Sequence, residues 1–168
     1  LIPALDASAD QSLQRIIVIE TMPVPVVLEH SRWFMDEMKR LGYEQGKNAD
    51  FKIIKAGGDK AKAITQLREA LNEQKPQVVV TFATLASQAA HEVLKGTKIP
   101  IVFAVVADPV GAGLIKRVGA PSQSNITGRI YTLFRKVKVD MAMRLLAKQS
   151  SKRPLRFGII HSSYPSAK

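Results

Sequence analysis

The residues of this sequence best suited to binding stand just after apolar runs, where the chain turns back toward a helix. Thr84-Leu85-Ala86-Ser87 follows the run at 77–83 and opens an Ala-rich segment. The first amides of a helix have no intrahelical acceptor, and with two hydroxyls beside them they suit a carboxylate or a phosphate. Thr84 also reads simply as an N-cap. Asp108-Pro109 follows the run at 99–106 and precedes the Gly-rich stretch 110–114. Asp at the N-cap and Pro at the first helical position open a short helix there; the other reading has the Asp108 carboxylate meeting a ligand cation. The third such place is 21–26, where Pro23 and Pro25 stiffen the loop that begins Thr21-Met22. A stiff loop lowers the entropy cost of binding, although loop prolines also occur without that purpose.

Signatures of catalysis are missing. No G-x-G-x-x-G follows the first apolar run, and the sequence holds neither a P-loop nor a G-x-S-x-G elbow. The three histidines, His30, His91 and His161, fall on separate elements without i, i+4 pairing. His30 and His91 read as helix-surface residues, and His161 as the end of a strand. With no cysteine, disulfides, thiolate metal sites and thiol catalysis are ruled out. The expectation is a binding protein rather than an enzyme, with no metal and no cofactor.

The elements that must position these residues alternate. Residues 15–21 form a β-branched run that suits a strand buried on both faces. Beyond the proline loop, Leu28, Phe34, Met35, Met38 and Leu41 recur at helical spacing up to Gly42. A second strand is expected over 49–55, and Gly57-Gly58-Asp59 reads as a turn ending in an N-cap. Ile64, Leu67 and Leu71 give the next helix its buried stripe. A third strand over 77–83, a helix over 84–94 and a fourth strand over 99–106 follow, then the short helix after Asp108 and a fifth strand over 125–131. A basic amphipathic helix carrying Val137, Met141 and Leu145 leads to a sixth strand over 155–161. Connections this short between alternating strands and helices predict parallel crossovers, hence an α/β doubly wound sheet.

Composition narrows the function classes. Lys and Arg number 25 against 14 Asp and Glu, a net charge of +11. The bases are scattered along the chain, with no basic arm and no helix-turn-helix or RNA-binding signature, so they read as a solvated surface and not as a nucleic-acid interface. No apolar run approaches the roughly 20 residues that cross a bilayer. Ala7-Ser8-Ala9 resembles the small-x-small tail of a secretory signal, so residues 1–9 are expected to be a signal remnant or a loose N-terminus.

Several of these stretches converge on a family. Thr84-Leu85-Ala86-Ser87-Gln88-Ala89-Ala90, Ile99-Pro100-Ile101-Val102-Phe103-Ala104, Asp108-Pro109-Val110-Gly111-Ala112-Gly113-Leu114 and Asn125-Ile126-Thr127-Gly128 together resemble the ABC-transporter substrate-binding proteins that include the tryptophan-binding TrpX proteins. Gly42-Tyr43, Gly46-Lys47-Asn48 and Lys75-Pro76 fit the same pattern. The chain departs from it at Leu85, where the family has Pro, and at Met22–Val26, where the family has His-Pro-Ala-Leu-Asp. The resemblance implies a type 1 periplasmic-binding-protein fold whose two lobes close on a ligand. Residues 10–128 would be lobe one, and 129–168 the hinge and an incomplete lobe two. It implies an exported, periplasmic component of an importer, without a lipidation cysteine in this chain, that binds a small ligand such as an aromatic amino acid and engages a membrane permease. The expected ligand-binding residues are Met22, Pro23, Thr84, Leu85, Ala86, Asp108, Asn125 and Thr127. The ligand carboxylate would rest on the amides near Thr84 and Ala86, and the ammonium near Asp108. A sensory input domain of the same fold is the alternative. The strand at 155–161 lacks partner strands in this sequence and is expected to pair with another copy, to swap, or to sit on the edge of lobe one.

Overall fold

The computed structural model describes residues 13–131 and 135–149. Its centre is a five-stranded sheet in the order β2-β1-β3-β4-β5, with every neighbouring pair parallel. The strands are β1 (Gln14–Glu20), β2 (Ala49–Lys55), β3 (Val78–Phe82), β4 (Ile101–Val106) and β5 (Ile126–Ile130). The helices are α1 (Pro25–Arg40), α2 (Lys60–Glu73), α3 (Thr84–Leu94) and α4 (Arg135–Gln149). The expected sixth strand, His161 and the segment 1–9 lie outside the described residues.

β1 explains the arrangement. Its residues Ile16, Ile17, Val18 and Ile19 are all buried, so both of its faces must be covered. Ile17 and Ile19 join Val79, Ile101, Phe103 and Ile126 beneath α2 and α3. Ile16 and Val18 join Val80 and Phe82 beneath α1. Burying each such side chain contributes roughly 1.5–3 kcal/mol, and a strand with no polar face can collect this on both sides only in a helix-covered parallel sheet.

Local details follow and amend the sequence reading. α1 starts at Pro25, whose fixed φ suits the first helical position. Its buried stripe is Val27 and Ser31 with Phe34, Met35 and Met38 packed behind, whereas the expected stripe members Leu28 and Leu41 are exposed. The Asp59 carboxylate accepts from the Lys62 amide at 3.1 Å and caps α2 as expected. Residues 109–114 wind through turns and do not form the expected short helix. Gly111 and Gly113 remove the side chains that would have stabilised one. On α4, Val137, Met141 and Leu145 are exposed, so the expected amphipathic stripe has no cover among the described residues.

Asn125-Ile126-Thr127-Gly128 is largely structural. The Asn125 Nδ2 group donates to the carbonyls of Leu94 at 2.9 Å and Ile99 at 2.7 Å, which ties the end of α3 and the start of β4 to β5. Ile126 is fully buried. A Cβ at Gly128 would overlap the carbonyl oxygen and ring of Phe103. Gly128→Ala should therefore destabilise the protein by about 1–3 kcal/mol, the usual range for overpacking, read as a lower denaturant midpoint at unchanged m-value.

His91 is half-buried on α3, and its Nδ1 has no partner among the described residues. Burial, with a smaller contribution from Lys95, holds its pKa below the ordinary histidine range. As pH falls, the unfolded chain takes up this proton before the folded chain does. Stability is therefore complete above the unfolded pKa of about 6.5 and is lost as pH drops below it. His91→Gln should flatten this acid-side decline, as measured by denaturant unfolding at about pH 7.5 and pH 5.

Candidate functional site

Because all strands are parallel, every loop that leads from a strand into the next helix leaves the same edge of the sheet. Chain direction about the sheet reverses between β1 and β3, which is where an open α/β sheet leaves a crevice. A cleft of about 190 Å³ lies at the strand ends that flank this point. Thr21 and Met22 from the end of β1, Ala83 and Thr84 from the end of β3, and Val105 and Ala107 from the end of β4 form its rim and floor. Val26 and Val27 of α1 and Leu85 of α3 complete an apolar wall.

Among the described residues no charged side chain lines the cleft. The polar residues in its lining are Thr21 and Thr84, beside the N-terminus of α3. The first intrahelical bond of α3 runs from the Ser87 amide to the Ala83 carbonyl at 3.2 Å. The amides of Thr84, Leu85 and Ala86 consequently have no acceptor within the helix, and they carry the positive end of its dipole. The expected capping role of Thr84 is not observed. The N-cap is Ala83, with no side-chain cap, and Thr84 is the first helical residue. The Thr84 side chain is thereby left to the cleft.

The backbone around the cleft is strained at two non-glycine positions. Ala83 has φ 76° and ψ 163°, a region that normally only glycine occupies. Its carbonyl is held by the Ser87 amide and by the Ser87 hydroxyl at 2.9 Å, and that hydroxyl also meets Thr81 Oγ1 at 2.9 Å. Val105 has φ 57°, which a β-branched residue strongly resists. It sits where Phe103 pairs with Gly128 and Val106 with Ile130, so β4 carries one residue more than β5. Such a bulge re-aims side chains at the end of a strand, and here it turns Val105 into the cleft.

The residues singled out in the sequence divide accordingly. Met22, Thr84 and Leu85 line the cleft. Pro23 is exposed on the loop beside Met22. Ala86 is fully buried, and its side chain belongs to the core beneath α2 and α3. Asp108 adjoins the cleft-lining Ala107, and its Oδ1 accepts from the Gly111 amide at 2.8 Å, capping the turn. Asn125 lies at the amino end of β5, the opposite edge of the sheet from the cleft. Thr127 borders a separate cavity of about 230 Å³ beside Phe103 and Pro121. The sequence reading held Thr21 and Val26 within the candidate loop 21–26 without naming them as ligand-binding, and it did not pick out Val27, Ala83, Val105 and Ala107.

Two neighbouring features set the electrostatics. Glu20, adjoining Thr21, is buried and accepts from the Ser31 hydroxyl at 2.5 Å, so its carboxylate is turned toward α1. His30 Nδ1 donates to the Val26 carbonyl at 2.7 Å, and its ring lies 5.0 Å from those of both Trp33 and Tyr131. This packing fixes the first turn of α1, which supplies the cleft wall. Among the described residues no group of His, Cys, Asp or Glu is arranged to hold a metal ion.

Residues 15–146 match the family model described as ABC transporter substrate binding protein. A tyrosine-binding protein of Clostridioides difficile (strain R20291) is 24% identical over 139 residues, which are 83% of this chain and 38% of that protein. A conserved domain protein from Vibrio cholerae has a crystal structure with a TM-score of 0.72 and 32% identity, covering 81% of this chain and 45% of the other. An ABC domain from Streptococcus pneumoniae in complex with L-Trp has a TM-score of 0.61 and 26% identity, covering 70% of this chain and 38% of the other. The chain thus spans less than half the length of these relatives.

The strain at Ala83 is measurable. In ordinary structure an Ala→Gly change costs about 0.5–1 kcal/mol. At φ 76° the glycine is released from strain, so Ala83→Gly should leave stability unchanged or raise it by up to about 1 kcal/mol, as thermal or denaturant unfolding would read.

Proposed function

The chain belongs to the family of ABC transporter substrate-binding proteins, and from that premise we propose that it is the solute-binding component of an importer that takes an aromatic amino acid. It works by binding, without chemistry. The observation that carries this reading is the cleft at the β1/β3 switch point, which combines apolar walls with the first amides of α3, which have no acceptor within the helix. The carboxylate of the ligand rests on those amides, and its ring lies against Met22, Val26, Leu85 and Val105. The names of relatives that bind tyrosine and L-Trp support the ligand class.

Residues 10–128 act as lobe one, and 129–168 as the hinge and the start of lobe two. The exposed stripe of α4 supports this boundary, because Val137, Met141 and Leu145 need a core other than that of the sheet. Closure of the second lobe buries the ligand, and the closed form engages the membrane permease. The protein acts in the periplasm, as befits its family; no described helix is long and apolar enough to cross a membrane.

Asp108 receives the ammonium. Asp108 borders Ala107, and a carboxylate has acceptor sites enough to keep the Gly111 bond as well. Titration calorimetry of the full-length protein with L-tyrosine and L-tryptophan tests both claims. Asp108→Asn keeps a capping side chain but weakens binding about ten- to a hundredfold, the effect of losing a charge-assisted bond of roughly 1.5–3 kcal/mol. Asp108→Ala weakens binding and also lowers the melting temperature. Unchanged affinity in the Asn variant would leave Asp108 with the cap alone, and no binding of either amino acid by the wild type would remove the ligand assignment.

A further inference from the structure

Thr21 has a polar atom whose isolation the fold alone does not explain. Its residue exposure is 0%, it lines the cleft, and its Oγ1 has no hydrogen-bond partner among the described residues. A buried hydroxyl without a partner costs on the order of 1–3 kcal/mol. Valine, of nearly the same shape, would avoid that cost. Nor can the strand end shift to satisfy the hydroxyl. Ala56 donates its amide to the Glu20 carbonyl at 3.0 Å, and Gly58 donates its amide to the Thr21 carbonyl. The β1 terminus is therefore clamped to the turn that leads into α2. The side chains around Thr21 in the cleft are almost all apolar and offer its hydroxyl few partners.

Register determines what this hydroxyl can reach. Glu20 pairs with Phe82, so the next residues, Thr21 and Ala83, stand side by side at about the 4.8 Å spacing of paired strands. Ala83 is the N-cap of α3. Thr21 and the amides of Thr84, Leu85 and Ala86, which have no acceptor within α3, thus reach the same end of one cleft from two different strands.

We infer that Thr21 Oγ1 is a ligand-reading group that, with the α3 amides, forms a two-sided site for the oxyanion head of the ligand. The helix supplies the dipole and the amides, and β1 supplies a hydroxyl donor from the opposite side. The hydroxyl is already stripped of water in the ligand-free protein, so contact with a carboxylate oxygen costs it no further desolvation. The folded protein carries that cost in advance, much as it carries the backbone strain at Ala83 and Val105. The identity of the head group as a carboxylate rests on the function proposed above; the unsatisfied hydroxyl does not.

Thr21→Val and Thr21→Ser in the full-length protein, freed of ligand, separate the two. Thr21→Val should melt no lower than the wild type, since it removes a buried polar group and leaves none unpaired. It should weaken L-tyrosine or L-tryptophan binding about tenfold or more, whereas Thr21→Ser should stay within about threefold of wild type. A Thr21→Val protein that binds as tightly as wild type, or that melts lower, would overturn the inference, the latter by showing that the hydroxyl serves the fold. If the wild type binds neither amino acid, the proposed ligand fails on its own, and the melting comparison still decides whether the Thr21 hydroxyl is an unmet donor.

Discussion

Everything in this domain depends on β1 being apolar on both faces. A strand of that kind has to sit inside a sheet covered by helices on either side, and parallel neighbours joined by helical crossovers are the arrangement that provides this. Once β1 is central and every strand runs the same way, all the strand-to-helix loops emerge at one edge. The reversal of winding between β1 and β3 then opens a crevice between the α1 loop and the start of α3. The cleft is thus a geometric consequence of core packing, and its polar content is whatever the strand ends and the helix N-terminus bring to that edge.

That origin explains the chemistry of the cleft. Strand ends in a parallel sheet are flanked by core, so their side chains are mostly small and apolar, as at Ala83, Val105 and Ala107. The polar groups left at that edge are backbone amides and hydroxyls, which hold fixed positions without the cost of burying an ionised side chain. Glu20 illustrates the contrast. A carboxylate at a strand end beside the cleft is turned toward α1 and held by Ser31.

The two strained residues belong to the same logic. Ala83 turns sharply so that α3 can begin directly at the end of β3, and the bonds that Ser87 makes to its carbonyl hold the turn in place. Val105 is displaced by the extra residue in β4, while Gly128 allows β5 to pass close over Phe103. Both distortions are offset by the core around them, and both leave their side chains in the cleft.

The sequence by itself determined the class of fold and the location of the candidate site. The β-branched run of β1, the helix at 84–94 and the strand at 49–55 are local patterns, and burial periodicity is written into them. The general rule for open parallel sheets then directs attention to the strand ends. Which residues at those ends face the cleft was decided only by tertiary structure. The N-x-T-G stretch looked like a site, yet Asn125 holds carbonyls at the far edge of the sheet and Gly128 clears room for Phe103. Thr84 looked like a cap, yet a left-handed Ala83 took that position. Val105 carried no local signal, because its φ is imposed by an extra residue in β4 measured against β5. Thr21 carried none either, because an unpaired hydroxyl exists only when neighbouring elements have closed around it. Periodicity along one segment records what that segment must bury, while register and orphaned polar groups arise between segments and appear only once those segments have packed.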